Sequence, residues 1–362
     1  MNPRIHPGGP PEDRRPVRLP GVLRPGFNPG GVVIIPLISL LILTALVFLL
    51  SKTPSRTLFF FFFGPFRNMY NLGNMLNNAV PLILGGLGVS IAMKAGRLNL
   101  GGEGQIYSGA FIATITALSL PRWGFFGGLC AVLAGAAASG LTAALSGIWK
   151  ARWNTSELIT TFLISNTLIL ITNYLVGGPF LDPETSLIST RKIAPALRLP
   201  LILPPSNLSA AAFIALAAVA AVYIFFGRTK FGYELRMAGA NELFARYGGI
   251  NTKLNTVLAM FLSGAFYGLA GGLAVTGTYY GTIKEFSAGL GWNGLAAALI
   301  ARFYPAALIP ASVFLAWIGS GARIAMQNSD ITYEVAFIVQ SVIFFLATSM
   351  SLRSVFTGKP RP

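Results

Sequence analysis

Nine polar or aromatic residues of this 362-residue chain lie within, or at the ends of, apolar stretches: Asn77, Asn78, Asn99, Gln105, Asn166, Asn173, Tyr267, Trp292 and Asn293. A carboxamide offers donors and acceptors without a charge, and a phenol or indole offers a face on which a planar ring can stack. This is the chemistry of recognition. As a set, these residues suggest a polar, neutral solute able to stack. Asn166 and Asn173 are seven apart and so share a helical face, and Asn77 and Asn78 precede Pro81. Each Asn taken singly also reads as a hydrogen bond between helices. The residues that make and break bonds are scarce. The one histidine is His6 and the one cysteine, Cys130, sits in an apolar stretch. That leaves no His-based triad, no intramolecular disulfide and no thiolate metal site, so no catalytic residue, metal or cofactor is expected.

The elements that position such residues are membrane helices. The chain is 54% hydrophobic and 10% charged, where soluble proteins carry about 25% charged residues. The stretch 31–50 has no charge at all, and about 20 apolar residues suffice to cross the hydrocarbon core. Ten spans are predicted at 31–50, 73–93, 104–120, 124–149, 155–176, 208–227, 254–277, 291–303, 305–322 and 331–350, the eighth short enough for a half-helix. The fold class expected is therefore an all-α, polytopic membrane bundle. Residues 59–63, five phenylalanines before Gly64 and Pro65, read as an interfacial or re-entrant segment. Residues 1–30, rich in Pro, Gly and Arg, read as a disordered basic tail, since the apolar run after them is too long for a signal peptide. The net charge of +16 lies in short loops and does not form a patch for nucleic acid. With the N-terminus in the cytoplasm, 18 of the 27 Lys and Arg fall on the inside and 9 on the outside. That bias agrees with the positive-inside rule and places both termini, including a tail at 351–362, in the cytoplasm.

Two Gly-rich breaks recur, at 94–105 after the second span and at 279–294 after the seventh. Five spans separate them, an odd number, which would give an inverted repeat of the kind found in transporters with discontinuous helices. The alternative is that Gly-rich loops simply connect helices. Gly264, Gly268 and Gly272, like Ala131, Gly135 and Ser139, are spaced by four, as close helix packing in lipid requires. Within the loop 228–253, Gly239 and Gly248 bracket an amphipathic segment that starts on Asn241, an N-cap type. Glu242 suits its first turn, and Arg246 lies four residues on. Such a helix could dock on a soluble partner or remain a solvated loop helix.

Three motifs carry a resemblance. Residues 232–251 are similar to G-[FY]-x-x-R-A-x-G-x-N-x-x-A-A-x-Y-x-G-I. Arg236, Gly239, Asn241, Ala245, Tyr247, Gly249 and Ile250 match, while Met237 and Phe244 depart from alanine. Residues 94–105 resemble A-G-x-[FW]-N-[IL]-G-x-E-G-Q with Leu98 for the aromatic, and 289–302 resemble G-x-G-[FW]-x-G-I-A-V-A-L, with Asn293 where relatives carry Asp. In this order the motifs resemble the permeases of simple-sugar and nucleoside ABC importers, within the ribose and branched-chain amino acid superfamily. The resemblance spans the second to the ninth predicted spans.

What it implies is a permease domain at 31–350 in the cell inner membrane, driven by a separate ABC ATPase subunit. The ATPase would dock on Arg236, Gly239, Asn241, Glu242, Ala245, Arg246, Tyr247 and Gly249. A second, related permease and an extracytoplasmic solute-binding protein complete the expected assembly in the lipid. The solute implied is a nucleoside, a simple sugar or another ribosyl or ribityl compound such as riboflavin. The chain contains no G-x-x-x-x-G-K-[ST], so it has no P-loop of its own. The competing reading is a stand-alone, ion-coupled secondary transporter. It would be expected to carry an acidic residue at mid-span, where none is predicted: Glu103 reads as a structural hydrogen-bonding group near a loop.

Overall fold

The computed structural model describes residues 29–330, together with 332, 334, 338, 341 and 342. The tails 1–28 and 351–362 and most of the tenth predicted span lie outside the described residues. Twelve α-helices are formed among them and no strand. In chain order they are α1 (Pro29–Leu50), α2 (Pro54–Phe63), α3 (Met69–Lys94), α4 (Gly102–Ser119), α5 (Gly124–Trp153) and α6 (Glu157–Gly177). They continue with α7 (Ala211–Arg228), α8 (Lys230–Ala240), α9 (Glu242–Tyr247), α10 (Thr252–Ala274), α11 (Leu290–Ile300) and α12 (Pro305–Asn328). A π-helical turn, Val275–Tyr279, extends α10.

Local chemistry sets many of the boundaries. Asn68, Thr229, Asn241 and Asn251 cap α3, α8, α9 and α10, each accepting a backbone N–H three residues on at 2.7–3.1 Å. Such caps satisfy one of the free donors of a helix start. Pro54 and Pro305 open α2 and α12, where a missing N–H costs nothing. Six helices among the described residues have the length and hydropathy to cross a membrane: α3, α5, α6, α7, α10 with its π turn, and α12. The ten expected spans are thus not all matched. The eighth, α11, has 11 residues, about 16 Å at the α-helical rise, which is half the hydrocarbon thickness. The third, α4, has 18 residues and carries Glu103, Gln105 and Tyr107. The phenylalanine run forms α2, whose ten residues are too few to cross. It packs on α12, where the Trp317 indole donates to the Phe62 carbonyl at 3.1 Å. Asp330 fastens the start of α2, accepting from Ser51 Oγ at 2.7 Å, Lys52 N at 2.5 Å and Thr53 Oγ1 at 3.0 Å. The Ser51 hydroxyl, followed by the Lys52 amide, holds this carboxyl down at about 2.

The centre of the bundle is the antiparallel pair α5 and α10, with α4 and α3 against it. The two stripes of small residues face each other. A Cβ on Gly264 would lie 2.4 Å from the Ser139 carbonyl, and one on Gly268 would lie 2.4 Å from that of Gly135. The long connector between α6 and α7 is irregular and braces the one between α10 and α11. Thr190 N donates to Thr282 O at 3.0 Å, and Ile193 N to Tyr280 O at 2.8 Å. In contrast, α6 leans on the bundle chiefly through α4 and leaves most of its surface uncovered.

An alanine in a helix interior ordinarily gains about 1 kcal/mol over glycine. Gly268→Ala is nevertheless expected to destabilise the protein by about 1–3 kcal/mol, because a backbone must move. Gly227→Ala, whose Cβ would meet nothing within 4 Å, should not destabilise it. Thermal unfolding in detergent compares the two. Equal melting temperatures would remove the close-packing argument.

Candidate functional site

The two Gly-rich breaks converge. After α3 the chain turns back into the bundle, and α4 starts beside the ring of Tyr267, where a Cβ on Gly102 would lie 2.4 Å from Tyr267 Cζ. Tyr267 is the sixteenth of the 28 residues in Thr252–Tyr279. So α4 begins about halfway along a helix long enough to cross a membrane. From the opposite end, the chain after the π turn also returns inward and starts α11 at the same level. A Cβ on Gly291 would lie 2.3 Å from the Glu103 nitrogen. Two helix N-termini therefore meet inside the bundle.

Neither start has a capping side chain of its own, since α4 begins after Gly101 and α11 after Gly289. Four N–H groups at each start have no partner within their helix. Glu103 supplies the missing acceptors for α11. Its Oε1 accepts from Gly289 N and its Oε2 from Gly291 N, both at 2.9 Å. The carboxylate also sits in the first turn of α4, so one negative charge faces the positive ends of two helix dipoles. Asn99 Oδ1 accepts from Gly101 N at 2.8 Å, and Ser165 Oγ from Gly104 N at 2.9 Å. The Asn99 amide in turn donates to Gln105 Oε1 at 2.8 Å and to Ser263 Oγ at 3.1 Å. A cavity opens beside this junction, lined among others by Asn99, Glu103, Tyr267 and Trp292.

Of the nine residues singled out in the sequence, Asn99, Gln105, Tyr267 and Trp292 thus gather here, with Asn293 next to Trp292 on α11. The others lie elsewhere. Asn77 donates to Thr278 Oγ1 at 3.0 Å and Asn78 to Ser320 Oγ at 3.2 Å, both bonds between elements. Asn166 is exposed on α6 and donates to its own helix at Phe162 O. Asn173 takes part in a second cluster: it accepts from the Tyr107 hydroxyl at 2.8 Å and donates to Glu285 Oε1 at 3.1 Å. Glu103 is, as the sequence suggested, a hydrogen-bonding group beside a loop, but the turn before α4 carries that loop halfway along α10 and not to its end. Two helix starts preceded by glycine, with no capping side chain, were the available signal.

The segment 228–253 is not a loop with one helix but two helices, α8 and α9. Asn241 does cap α9, with the Phe244 nitrogen donating to its Oδ1 at 2.9 Å. Glu242 pairs with Arg97 at 2.7 Å, where the sequence offered Arg246. Ala245 is buried, Gly239 is half-buried, and Arg236, Asn241, Glu242, Arg246, Tyr247 and Gly249 are exposed.

Glu103→Ala should leave two enclosed N–H groups unpaired, at about 1–3 kcal/mol each. Glu103→Gln, which keeps one acceptor oxygen and loses the charge, should fall between it and the wild type. Thermal unfolding in detergent measures both. An alanine variant as stable as the parent would show that the junction does not depend on this carboxylate.

Residues 71–348 match the family described as the permease component of the branched-chain amino acid transport system. A probable riboflavin import permease of Treponema pallidum is 33% identical over 321 residues, covering 86% of this chain and 83% of the relative. A guanosine ABC transporter permease of Bacillus subtilis is 31% identical over 81% of this chain and 85% of its own. A glucose ABC transporter permease of Haloferax volcanii is 30% identical over 78% and 77%. No solved structure matches. With the match covering most of its length, and a helical membrane bundle to go with it, this chain belongs to the family of ABC importer permeases that includes the branched-chain amino acid permease components.

Proposed function

We propose that this permease carries a nucleoside, a simple sugar or a related ribosyl or ribityl solute, such as riboflavin, inward across the cell inner membrane. The observation that carries this reading is the meeting of the α4 and α11 N-termini halfway along α10. Discontinuous helices whose starts face the bundle interior are a recurring way to place polar backbone on a substrate path. Beside that junction, Trp292 supplies an aromatic face, 41% exposed. Riboflavin and guanosine, the solutes in two relatives' names, each join a planar ring system to a ribityl or ribosyl group.

The driving force would come from a separate ATPase subunit docked on α8 and α9. Support for a docking surface, over a merely solvated helix, is the exposure of Leu243, Phe244 and Tyr247, the last 85% exposed. A contiguous apolar face of this kind on a polar helix marks an interaction site. These helices would lie in the cytoplasm with both chain termini, as the Lys and Arg bias supports. A second permease, a copy or a relative, would cover the exposed face of α6, where Asn166 and Thr167 stand open. Asn166 and Thr167 each spend one donor on their own helix, but their remaining polar atoms would be costly against hydrocarbon, and a hydrated path between two permeases removes that cost. An extracytoplasmic binding protein would deliver the solute to the opposite end. In this reading the chain itself catalyses no reaction.

Affinity purification of the tagged protein from solubilised membranes should recover a P-loop ATPase. Replacing Arg236, Asn241 and Tyr247 together by alanine should lose it. A preparation of this chain alone that transports in liposomes under an ion gradient, without ATP, would overturn the proposal in favour of the ion-coupled carrier.

A further inference from the structure

We infer that the corner formed by Gly96 and Arg97 is the joint through which movement of α8 and α9 reaches the α4–α11 junction, with Arg97 as a positioning residue. This rests on the proposal that an ATPase docks on those two helices. The corner closes α3 with a Schellman-type turn. Arg97 N donates to Ala92 O at 2.9 Å and Gly96 N to Met93 O at 3.0 Å, with Gly96 at φ +70°. On this turn the last part of α8 lies backbone to backbone. A Cβ on Gly239 would be 2.1 Å from Lys94 O and 2.7 Å from Gly96 N. Beside this contact, Leu235 of α8 is fully buried against Ala95 at the end of α3 and Ala259 of α10.

Arg97 then pins the contact from the side. Its Nη2 meets Glu242 Oε2 at 2.7 Å, in the first turn of α9, and its Nε donates to Thr256 Oγ1 of α10 at 3.1 Å. The Arg97 side chain is 13% exposed and that of Glu242 55%. The guanidinium is thus largely enclosed, with its charge answered by one carboxylate, a geometry that makes a charge-assisted bond count. From the corner, the next residues run directly into the site. Asn99 is two positions on and binds Gln105 and Ser263, and Leu100 N donates to Thr161 Oγ1 of α6 at 3.1 Å. A shift of α9 that pulls Arg97 therefore also pulls the start of α4 and the exposed helix α6.

The test uses the complete complex, permeases with ATPase and binding protein, in proteoliposomes, with ATP hydrolysed and solute moved measured together. Arg97→Ala is expected to keep the ATPase bound and hydrolysing while transport falls about tenfold, the scale of one charge-assisted hydrogen bond. The ATP used per solute then rises by the same factor. Arg97→Glu should lose transport, and adding Glu242→Arg should restore it to within about threefold of wild type. An unchanged ATP-to-solute ratio in Arg97→Ala, or no rescue on charge reversal, overturns the inference. If Arg97→Ala proves unstable on heating, Arg97→Lys decides by the same ratio, since it keeps the charge and loses the two-point grip. Failure of the wild-type chain to recover any ATPase would count instead against the docking proposal.

Discussion

Two helix N-termini pointed at each other inside an apolar bundle are an electrostatic problem, and the Glu103 carboxylate solves it. Each start presents unpaired N–H groups and the positive end of a dipole. Water, which would satisfy both at a protein surface, is absent from hydrocarbon. Glu103 belongs to one of the two helices and accepts from the other at 2.9 Å twice over. It therefore lets the breaks close on each other without side-chain caps. Much of the rest follows from this. Gly291 must be small because it meets the backbone at the start of α4, and Gly102 because the Tyr267 ring lies on it. Tyr267 must pack against Gly102 of α4 and Gly85 of α3. The connectors 95–101 and 280–289 must each fold back into the bundle, the second held by the α6–α7 segment.

The close approach of α5 and α10 answers a different demand. Between helices in lipid there is no hydrophobic gain to be had, so backbones must come near enough for dispersion to hold them. The small residues at four-residue spacing were legible in the sequence for that reason, and they face each other as the spacing required. Charge-free length was equally legible. The predicted spans at 73–93, 124–149, 155–176, 208–227, 254–277 and 305–322 each fall on a helix long and apolar enough to cross, because hydropathy reports a solvent preference that needs no tertiary information.

What the sequence could not give was depth. Glu103 lies close to Lys94 and Arg97 along the chain, and proximity to charge reads as proximity to a membrane edge. Only the path of residues 97–101 back along α10 carries it halfway across. For the same reason the scattered asparagines divided in a way no spacing foretold. Asn99 came to the junction, Asn77 and Asn78 to ordinary bonds between elements, and Asn166 to the outer face. Short polar helices were the other loss. The eleven residues of α8 are amphipathic, but Gly232, Gly239 and the charged side chains made them read as a loop, whereas α9 was visible through its Asn241 cap. The partner of Glu242 was hidden because local spacing offers Arg246, while the turn after α3 brings Arg97 to within 2.7 Å.

On the proposal that an ATPase docks on α8 and α9, their placement has a reason: they touch α3, α7 and α10 yet leave most of α9 exposed. A docking element that moves must not be woven into the core, or its motion would cost core contacts that are close-packed and resist deformation. An element tied to nothing would move without effect. The α8 contact resolves the conflict by leaving α9, which follows it, mostly exposed. It meets the end of α3 through the Gly239 backbone and through Leu235, fully buried against Ala95 and Ala259, where displacement is passed on with little slack. Its charged pin uses a carboxylate that remains half in solvent, so the bond can shift without a large desolvation cost. Firm contact on the bundle side and exposure on the other is the arrangement the proposed lever needs. It places the pivot one turn of chain away from the junction that Glu103 holds closed.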